Sequence, residues 1–568
     1  MHTNRHSPQL PSVTELREQL HYLLYCIRMS MTHRWVSIRH CVHAHSLLVV
    51  LGFFLAMLLP YLSYIPMWDG QGYALCIMDT PLFPLSIEHS RCFGHPSMAY
   101  VWLQRVAQLL SPGSIKLIFL TNLALASYAG VEFHRLLRSL FPEAPALQLA
   151  ASVALLLFTP VLTVHVFHVA PDFGVVPFFT IYLSFLLRQK YWQAGLAGLA
   201  LAFSKEAGTG VYLASLLALP FLLAPDIRRC TKTHALRFCR TLFPVFIPAL
   251  CIVLYFKIQS SSGSTLGVWE GFDGGSDLWI MLLSIDFANT SFTTFLFDIF
   301  ALNFQWILTA TLVIAMVVTM FRVAAGSPHH HSVDQVSRIV FLSLMLLASA
   351  YVVTRMRPWN NARYTLAYVP VLVLLFNYAL QSLHIRAEQR EVFLSAVATL
   401  FFVSNFFTID PISRWYFKVF QTGQYSMLDM KRMGESTASF GRDEMAYNLE
   451  FLSVTDALRK ILNVVKPSPD TVFFAGEGFN AQLPFVKRSN GSLTLDRSDS
   501  FSLAIVEDPG QVPDLAARQQ EQYFVSFPNL ENNNMQSALL QHGKLVKIPS
   551  DSWDEHGVHL YRFMPRAV

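Results

Sequence analysis

The amino-acid sequence predicts a polytopic α-helical membrane protein followed by a smaller soluble domain of α/β or α+β class. Of its 568 residues, 53% are hydrophobic and only 14% are charged, whereas about 25% of the residues of an average soluble domain are charged. The apolar residues recur in runs near the roughly 20 residues that a helix needs to cross a bilayer. The net charge of +5 is too small and too dispersed for a nucleic-acid-binding protein. These observations exclude a simple soluble enzyme.

Residues 1–45 are predicted to form a cytoplasmic N-terminal segment. They hold five Arg before any long apolar run, unlike a cleavable signal peptide, whose basic start is short. Apolar side chains recur there at helical spacing, at Leu16, Leu20, Leu23, Leu24 and Ile27. This spacing predicts an amphipathic helix that lies along the membrane surface or packs on the spans.

Residues 46–410 are predicted to form the transmembrane domain, with about eleven spans. The apolar runs that predict them lie near residues 46–65, 115–137, 146–165, 173–187, 193–204, 210–224, 242–257, 296–320, 339–354, 364–381 and 391–408. Lys and Arg concentrate in alternate loops, and the intervening segment 258–294 contains neither. Because cytoplasmic loops are enriched in Lys and Arg, the N-terminus is predicted to be cytoplasmic. An odd number of spans then places the C-terminal region outside the cytoplasm.

Residues 411–568 are less hydrophobic and are predicted to fold as an extracytoplasmic soluble domain. About 150 residues are enough for a separate hydrophobic core. The strand-like segments are residues 471–475, 503–506, 523–527 and 559–563, and residues 444–465 have a helical pattern. This mixture is the basis for the α/β or α+β class.

The seven cysteines form no zinc-like pairs. Cys76 and Cys92 share the first predicted outer loop. In an oxidising compartment they could form a disulfide, and two unlinked thiols are an equally good interpretation of the spacing.

Four cations are predicted at the outer ends of spans, against the orientation rule. Arg355, Arg357 and Arg363 lie in one short stretch between an apolar run that enters this side and one that leaves it. Lys205 lies in a polar break between two short apolar segments. Guanidinium and ammonium groups that converge at a membrane boundary suit a phosphate or diphosphate group. The alternative is that these side chains reach toward lipid headgroups.

Two aspartates are predicted on the same face. Asp69 follows the first span directly, and Asp172 marks the outer turn between the third and fourth spans. An ionised Asp at a membrane boundary could act as a general base toward a substrate hydroxyl, and nearby cations would keep it ionised. The alternative for Asp69 is a turn residue of an Asp-Gly pair, and for Asp172 it is a helix N-cap.

The order of these features along the chain resembles that of a known family. The features are Asp69 with Tyr73, His95-Pro96, Asp172, the glycine-rich run from Gly195 to Lys205, and Arg363-Tyr364. A first outer loop with an acidic residue, a Tyr and a His-Pro pair is similar to that of polytopic glycosyltransferases of the GT-C fold. The resemblance is closest to the branch of protein O-mannosyltransferases and lipid A aminoarabinose transferases, and it covers about residues 46–380.

The resemblance implies a membrane enzyme that takes a sugar from a polyprenyl-phosphate carrier and passes it to an acceptor on the extracytoplasmic face. The acceptor would be a glycan, a lipid or a protein, and the anomeric centre would be inverted. Asp69 would be the catalytic base or organise it, and Asp172 would be a second catalytic carboxylate. The substrate-binding residues that it implies are Tyr73, His95, Lys205, Glu206, Arg355, Arg357, Arg363 and Tyr364.

Among those residues, Lys205 and Arg363 would face the lipid phosphate, and His95 would shape the sugar or acceptor pocket. The chain departs from the family pattern where Asp69-Gly70 replaces the Asp-Glu of many relatives. The Lys205-Glu206 pair resembles a variant of other members, so the subfamily stays open.

Two other classes of function remain open. A transporter or lipid flippase would also place charges between spans, although it would be expected to show internal repeats or charges at the membrane midplane. A scaffold without activity is the other alternative, and the presence of Asp69 argues against it. The sequence requires no cofactor, and a divalent metal is compatible with it. Membrane lipids are expected partners, and the bacterial inner membrane is favoured over the endoplasmic reticulum.

Overall fold

The computed structural model describes residues 45–62, 69–79, 97–229, 232–261, 300, 304–325, 332–355 and 366–406 of the helical part. In the C-terminal part it describes residues 456–457, 460–466, 471–475, 504–506, 508–516, 521–526, 533–555 and 557–566. The predicted N-terminal amphipathic helix lies outside the described residues.

The helical part is a bundle with an apolar core. Its helices are α1 (Ser46–Leu58), α2 (Asp69–Asp79), α3 (Met98–Gln108), α4 (Ile115–Leu140), α5 (Ala146–Leu157), α6 (Pro160–His168), α7 (Pro171–Leu187), α8 (Tyr191–Ala202), α9 (Glu206–Arg229), α10 (Lys232–Ser261), α11 (Gln305–Ala324), α12 (Val333–Arg355), α13 (Val369–Ser382) and α14 (Ala387–Ser404). Each predicted apolar run overlaps one of these helices or, at residues 146–165, the pair α5 and α6.

Local sequence signals set several helix starts. Ser114 precedes α4, and its hydroxyl accepts a hydrogen bond from the Leu117 N–H at 3.4 Å. Pro160 and Pro171 stand at the first positions of α6 and α7, where the missing N–H of proline removes no helical hydrogen bond.

Three helices among the described residues are long and apolar enough to cross a membrane: Ile115–Leu140, Glu206–Pro225 and Gln305–Arg322. The pair α5 and α6, bent by 54° at their junction, would add a fourth span. Shorter apolar helices are Ser46–Tyr61, Pro171–Leu187, Thr241–Tyr255 and Leu366–Ser382. The predicted count of eleven spans is therefore not confirmed and stays a prediction.

Ion pairs mark the two ends of α7. In its first turn, Asp172 contacts Lys205. Just after its last turn, Arg188 lies 2.8 Å from the buried carboxylate of Glu132 in α4. Sixteen residues of helix separate the two ends by about 24 Å. We call them the Lys205 end and the Arg188 end of the bundle.

The Arg188 end gathers loops that the sequence places on one side of the membrane. A guanidinium nitrogen of Arg322 donates to the carbonyl oxygen of Ser382 at 2.7 Å. A shallow cleft at this end is lined by Gln189 of the α7–α8 turn, by Pro225 and by Arg338. This grouping agrees with the predicted alternation of loops, and the assignment of this end to the cytoplasm stays a prediction.

The C-terminal part contains a five-stranded mixed sheet in the order β2-β1-β3-β5-β4. Strand β1 pairs in parallel with β2 and β3, and β5 pairs antiparallel with β3 and β4. Phe474, Phe524 and Phe563 share a core on one face with Leu539 of a covering helix. The elements are β1 (Val472–Ala475), β2 (Ala504–Val506), α15 (Val512–Ala516), β3 (Gln522–Ser526), α16 (Asn533–His542), β4 (Gly543–Ile548), α17 (Asp551–Asp554) and β5 (His559–Pro565).

A carboxylate at the end of α17 is held by two basic side chains. Asp554 lies 2.6 Å from His559 Nδ1 and 3.0 Å from Lys547 Nζ. Hydrogen bonds from His559 and then from Lys547 lower the pKa of Asp554 from 3.8 to about 2. The ionised form of Asp554 therefore stabilises this part of the chain.

Cys76, in α2, is disulfide-bonded, and Cys251 is a free thiol. Disulfides persist in oxidising compartments, which agrees with the predicted outer position of the segment after α1. Cys92 lies outside the described residues, so its pairing with Cys76 stays one of the two interpretations that the sequence left open.

Candidate active site

The predicted site residues Lys205 and Asp172 form a buried ion pair at the Lys205 end. The Lys205 Nζ lies 2.7 Å from Oδ1 and 2.6 Å from Oδ2 of Asp172. The two side chains are only 6% and 3% exposed. Buried charges require compensation, so each of these groups depends on the other.

A strained turn between α6 and α7 presents Asp172. Val169 follows α6 with φ 45° and ψ 56°, in the left-handed region. Ala170 is then extended, and Pro171 begins α7. A β-branched residue in this region costs about 1–3 kcal/mol and persists only where surrounding contacts fix it. Asp172 thus follows a turn that the neighbouring helices must hold in place.

A tight break between α8 and α9 presents Lys205. The Ser204 hydroxyl donates to the Leu201 carbonyl oxygen at 2.7 Å, which satisfies a backbone acceptor at the end of α8. A Cβ added at Gly208 would collide with the same carbonyl group. Only glycine fits there without displacing the break that carries the lysine.

The glycines of the run that ends at Lys205 allow close helix packing. A Cβ at Gly195 would collide with the backbone carbonyl of Pro244 in α10. A Cβ at Gly198 would lie 3.1 Å from the ring of Tyr212. Small residues at such contacts let membrane helices approach each other closely.

Helix α3 contacts both segments that carry the ion pair. The Ala99 N–H donates to the Phe203 carbonyl oxygen at 2.9 Å, two residues before the site lysine. The Tyr100 ring packs on Gly174, where an added Cβ would lie 3.2 Å from the ring. Gly174 is two residues after the site aspartate, so α3 bridges the two segments.

The sequence did not predict α2 and α3, because each is only 11 residues long and shorter than a membrane span. Nor did it predict His165 and His168, whose buried rings have centroids 5.0 Å apart in α6. Because residues three positions apart lie on the same face of a helix, their spacing could have indicated that the two rings are neighbours. In the part of the chain that the structure describes, no group of three or more His, Cys, Asp or Glu residues could hold a metal ion.

The remaining predicted site residues are placed only in part. Glu206 is the first residue of α9 and is 8% exposed, and Tyr73 in α2 is 4% exposed. Asp69 begins α2 and Arg355 ends α12, but the side chains of both lie outside the described atoms. Also outside the described residues are His95, Arg357, Arg363 and Tyr364.

No protein-family model and no curated protein sequence matches this chain. ArnT from Cupriavidus metallidurans bound to undecaprenyl phosphate aligns with a TM-score of 0.52 at 13% identity, covering 93% of this chain and 98% of that chain. ArnT in the apo state aligns with a TM-score of 0.50 at the same identity and coverage. The oligosaccharyltransferase AglB from Archaeoglobus fulgidus aligns at 12% identity over 91% of this chain and 74% of its own, with a TM-score of 0.38 that is too low to inform the fold.

ArnT is a lipid A aminoarabinose transferase of the GT-C fold. At 13% identity the similarity establishes the fold and not the reaction. Together with the apolar helices, this fold makes the chain an integral membrane protein. The resemblance inferred from the sequence is thus confirmed at the level of the fold: the chain has the GT-C fold that ArnT has.

Proposed function

We propose that the protein is a membrane glycosyltransferase that moves a sugar from a polyprenyl-phosphate carrier to an acceptor on the extracytoplasmic face. The observation that carries this proposal is the buried Lys205–Asp172 pair at one end of an ArnT-like bundle. One ArnT structure holds undecaprenyl phosphate, a lipid phosphate. A donor of that class would bring a phosphate group that a buried ammonium can bind.

An ammonium suits the leaving group of this reaction. When the bond between the anomeric carbon and the phosphate oxygen breaks, the electron pair stays on the phosphate, whose negative charge grows. Lys205 places a positive charge where little water screens it, so its attraction to that charge is stronger than in water. Arg355, Arg357 and Arg363 are proposed to add guanidinium donors to the same phosphate.

Asp69 is proposed as the general base. Its carboxylate takes the proton of the acceptor hydroxyl while the hydroxyl oxygen forms the new bond to the anomeric carbon. Attack from the side opposite the leaving phosphate inverts the anomeric configuration. Tyr73, His95, Glu206 and Tyr364 are proposed to line the sugar and acceptor pocket.

Asp172 is proposed to position Lys205 rather than to take the proton. Both of its carboxylate oxygens already accept hydrogen bonds from Lys205. A carboxylate held in this way is a weaker acceptor for a hydroxyl proton. The scheme needs no divalent metal, because cations compensate the phosphate, and it excludes none.

The proposed topology places residues 1–45 in the cytoplasm and residues 411–568 outside it, on either side of a catalytic domain formed by residues 46–410. The Arg-containing loops at the Arg188 end and the disulfide at Cys76 support this orientation. We favour the bacterial inner membrane as the host membrane.

Mass spectrometry of polyprenyl-phosphate sugars and envelope glycans tests the proposal in cells that lack the protein. The cells carry the wild type, Asp69→Asn, Lys205→Met, Lys257→Met or no protein. Lys257 is an exposed lysine of α10 and serves as a matched control for loss of one positive charge. The deletion, Asp69→Asn and Lys205→Met should accumulate the same lipid-linked sugar and lose the same glycan, whereas Lys257→Met should match the wild type.

Two results would contradict this proposal. An unchanged profile for Asp69→Asn beside a changed profile for the deletion would remove Asp69 as the base and favour transport or scaffolding. A deletion with no change in any lipid-linked sugar or glycan would remove the transferase assignment itself.

A further inference from the structure

Fully buried polar residues form a hydrogen-bonded network beside the turn that carries Asp172. The Oδ1 of Asn122, in α4, accepts hydrogen bonds from the Tyr100 hydroxyl at 3.1 Å and from the Gln104 amide at 2.6 Å. The Asn122 amide donates to the Val166 carbonyl oxygen at 2.9 Å. Asn122, Tyr100, Gln104 and Val166 are all 0% exposed. One asparagine therefore links α3, α4 and α6.

The Asn122 amide supplies a hydrogen-bond donor to a carbonyl group at the end of α6. The last four carbonyl groups of a helix have no partner within the helix, and α6 ends at His168. Val166 is one of those last residues, and it lies three positions before the strained Val169. Hydrogen bonds in a low-dielectric interior are stronger than in water, so the Asn122 amide is well suited to fix this helix end.

The same network also reaches the other side of the turn. Tyr100, whose hydroxyl donates to Asn122, packs its ring on Gly174 in α7. The turn at Val169 is thus held through the end of α6 by Asn122 and through the start of α7 by Tyr100. Asp172 lies between these two contacts along the chain.

We propose that Asn122 is a positioning residue, which holds the Val169 turn and thereby keeps Asp172 and Lys205 in place for the donor phosphate. This inference rests on the proposed glycosyltransferase function. In this role Asn122 acts through the backbone of α6, by its hydrogen bond to the Val166 carbonyl oxygen. A displacement of about 1 Å at a reacting group costs on the order of 100-fold in rate.

Asn377 is a matched control for a buried asparagine without this role. It is also 0% exposed. Its Oδ1 accepts a hydrogen bond from the Ser152 hydroxyl at 3.0 Å, and its amide donates to the Val373 carbonyl oxygen at 2.8 Å. The first contact joins α5 to α13, away from the turn at Val169, and the second lies within α13. Asn377→Leu therefore removes a buried amide, and one hydrogen bond to another helix, from the same depth.

The test uses the full-length protein in lipid nanodiscs, with undecaprenyl phosphate as the probe. It compares the wild type, Asn122→Leu, Asn377→Leu, Val169→Gly and the double variant Asn122→Leu/Val169→Gly. We expect Asn122→Leu to raise the Kd for undecaprenyl phosphate about tenfold or more and to lower transfer in cells about 10-fold to 100-fold. Asn377→Leu should leave both within about twofold, at a similar loss of thermal stability.

The substitution Val169→Gly distinguishes a positioning role from a purely structural one, because it should change the binding of undecaprenyl phosphate only if Asn122 acts through the Val169 turn. Glycine adopts the left-handed conformation without strain, so Val169→Gly should restore part of the binding that Asn122→Leu loses. It should not improve binding in the Asn377→Leu background. Equal Kd and transfer values for Asn122→Leu and Asn377→Leu would overturn the inference.

Two further comparisons keep the test decisive. If Asn122→Leu does not fold, Tyr100→Phe removes one hydrogen bond and keeps the ring on Gly174, and a Kd unchanged from the wild type would count against the network. If Asp69→Asn blocks transfer while Asn122→Leu does not, only the positioning role fails. If Asp69→Asn has no effect either, the proposed function fails.

Discussion

Removing either charge of the Lys205–Asp172 pair should destabilise the protein by about 3–5 kcal/mol, because the remaining charge is left buried without its partner. The size of this effect follows from the geometry. Both side chains are at least nine-tenths buried, and both carboxylate oxygens lie within 2.7 Å of the ammonium nitrogen. Lys205→Met leaves a buried carboxylate, and Asp172→Asn leaves a buried ammonium.

The double variant Lys205→Met/Asp172→Asn should be more stable than either single variant. It buries a neutral amide and an apolar side chain, and an unsatisfied amide costs about 1–3 kcal/mol. The loss of the double variant should therefore be smaller than the sum of the two single losses by at least about 3 kcal/mol. The double variant should nevertheless be inactive, because it has no ammonium to face the donor phosphate.

The assay is SDS-induced unfolding of the full-length protein in mixed micelles, followed by tryptophan fluorescence. Lys547→Met is the control, because Lys547 and its partner Asp554 are 43% and 22% exposed. Exposed ion pairs contribute only about 0–1 kcal/mol, so this variant should lose little. Single losses at Lys205 and Asp172 that add within about 0.5 kcal/mol would refute the coupling and the buried pair with it.

Three further predictions concern other parts of the chain. Gly208→Ala should lower the free energy of unfolding by about 1–3 kcal/mol, because its Cβ would collide with a carbonyl group of α8. Gly52→Ala is the control in the same unfolding assay and should be neutral, because no atom lies within 4 Å of the added Cβ. Equal losses of stability in the two variants would contradict this prediction. Alkylation of the unfolded protein should modify Cys76 only after reduction, and modification before reduction would show a free thiol. Because hydrogen bonds from its basic partners lower the pKa of Asp554 to about 2, its stabilising contribution should be complete above about pH 4 and lost as the pH falls through 2. Fluorescence of the buried Trp553 should report this loss in the wild type and not in Asp554→Asn, and the same acid response in both would count against it.

Much of the helical fold could be predicted from the sequence, because long apolar runs leave a chain few alternatives to membrane helices. The predicted runs overlap the observed helices, and the predicted strands at residues 471–475 and 523–527 overlap β1 and β3. Strand β4 was not predicted. It lies at the edge of the sheet with Lys544 and Lys547 exposed, a pattern that protects an edge from aggregation and weakens the apolar signal of a strand.

The site could be predicted residue by residue but not as a geometry. Loop charges indicated that Asp172 and Lys205 would lie on one face, and the structure brings them into direct contact. Nothing in the spacing indicated a contact between residues 33 positions apart. The role of Asn122 was also hidden, since the partners of a polar residue in an apolar run are set only when the helices pack. The sequence did not indicate the left-handed turn at Val169, because valine stands where a glycine would normally mark the end of a helix.

The most direct test of the account is a cryo-electron microscopy map of the full-length protein with undecaprenyl phosphate in nanodiscs. We predict density for the phosphate within hydrogen-bonding distance of the Lys205 ammonium, at the end of α7 that carries Asp172 in its first turn. Phosphate density at the Arg188 end instead, with the Lys205–Asp172 pair unchanged, would contradict it.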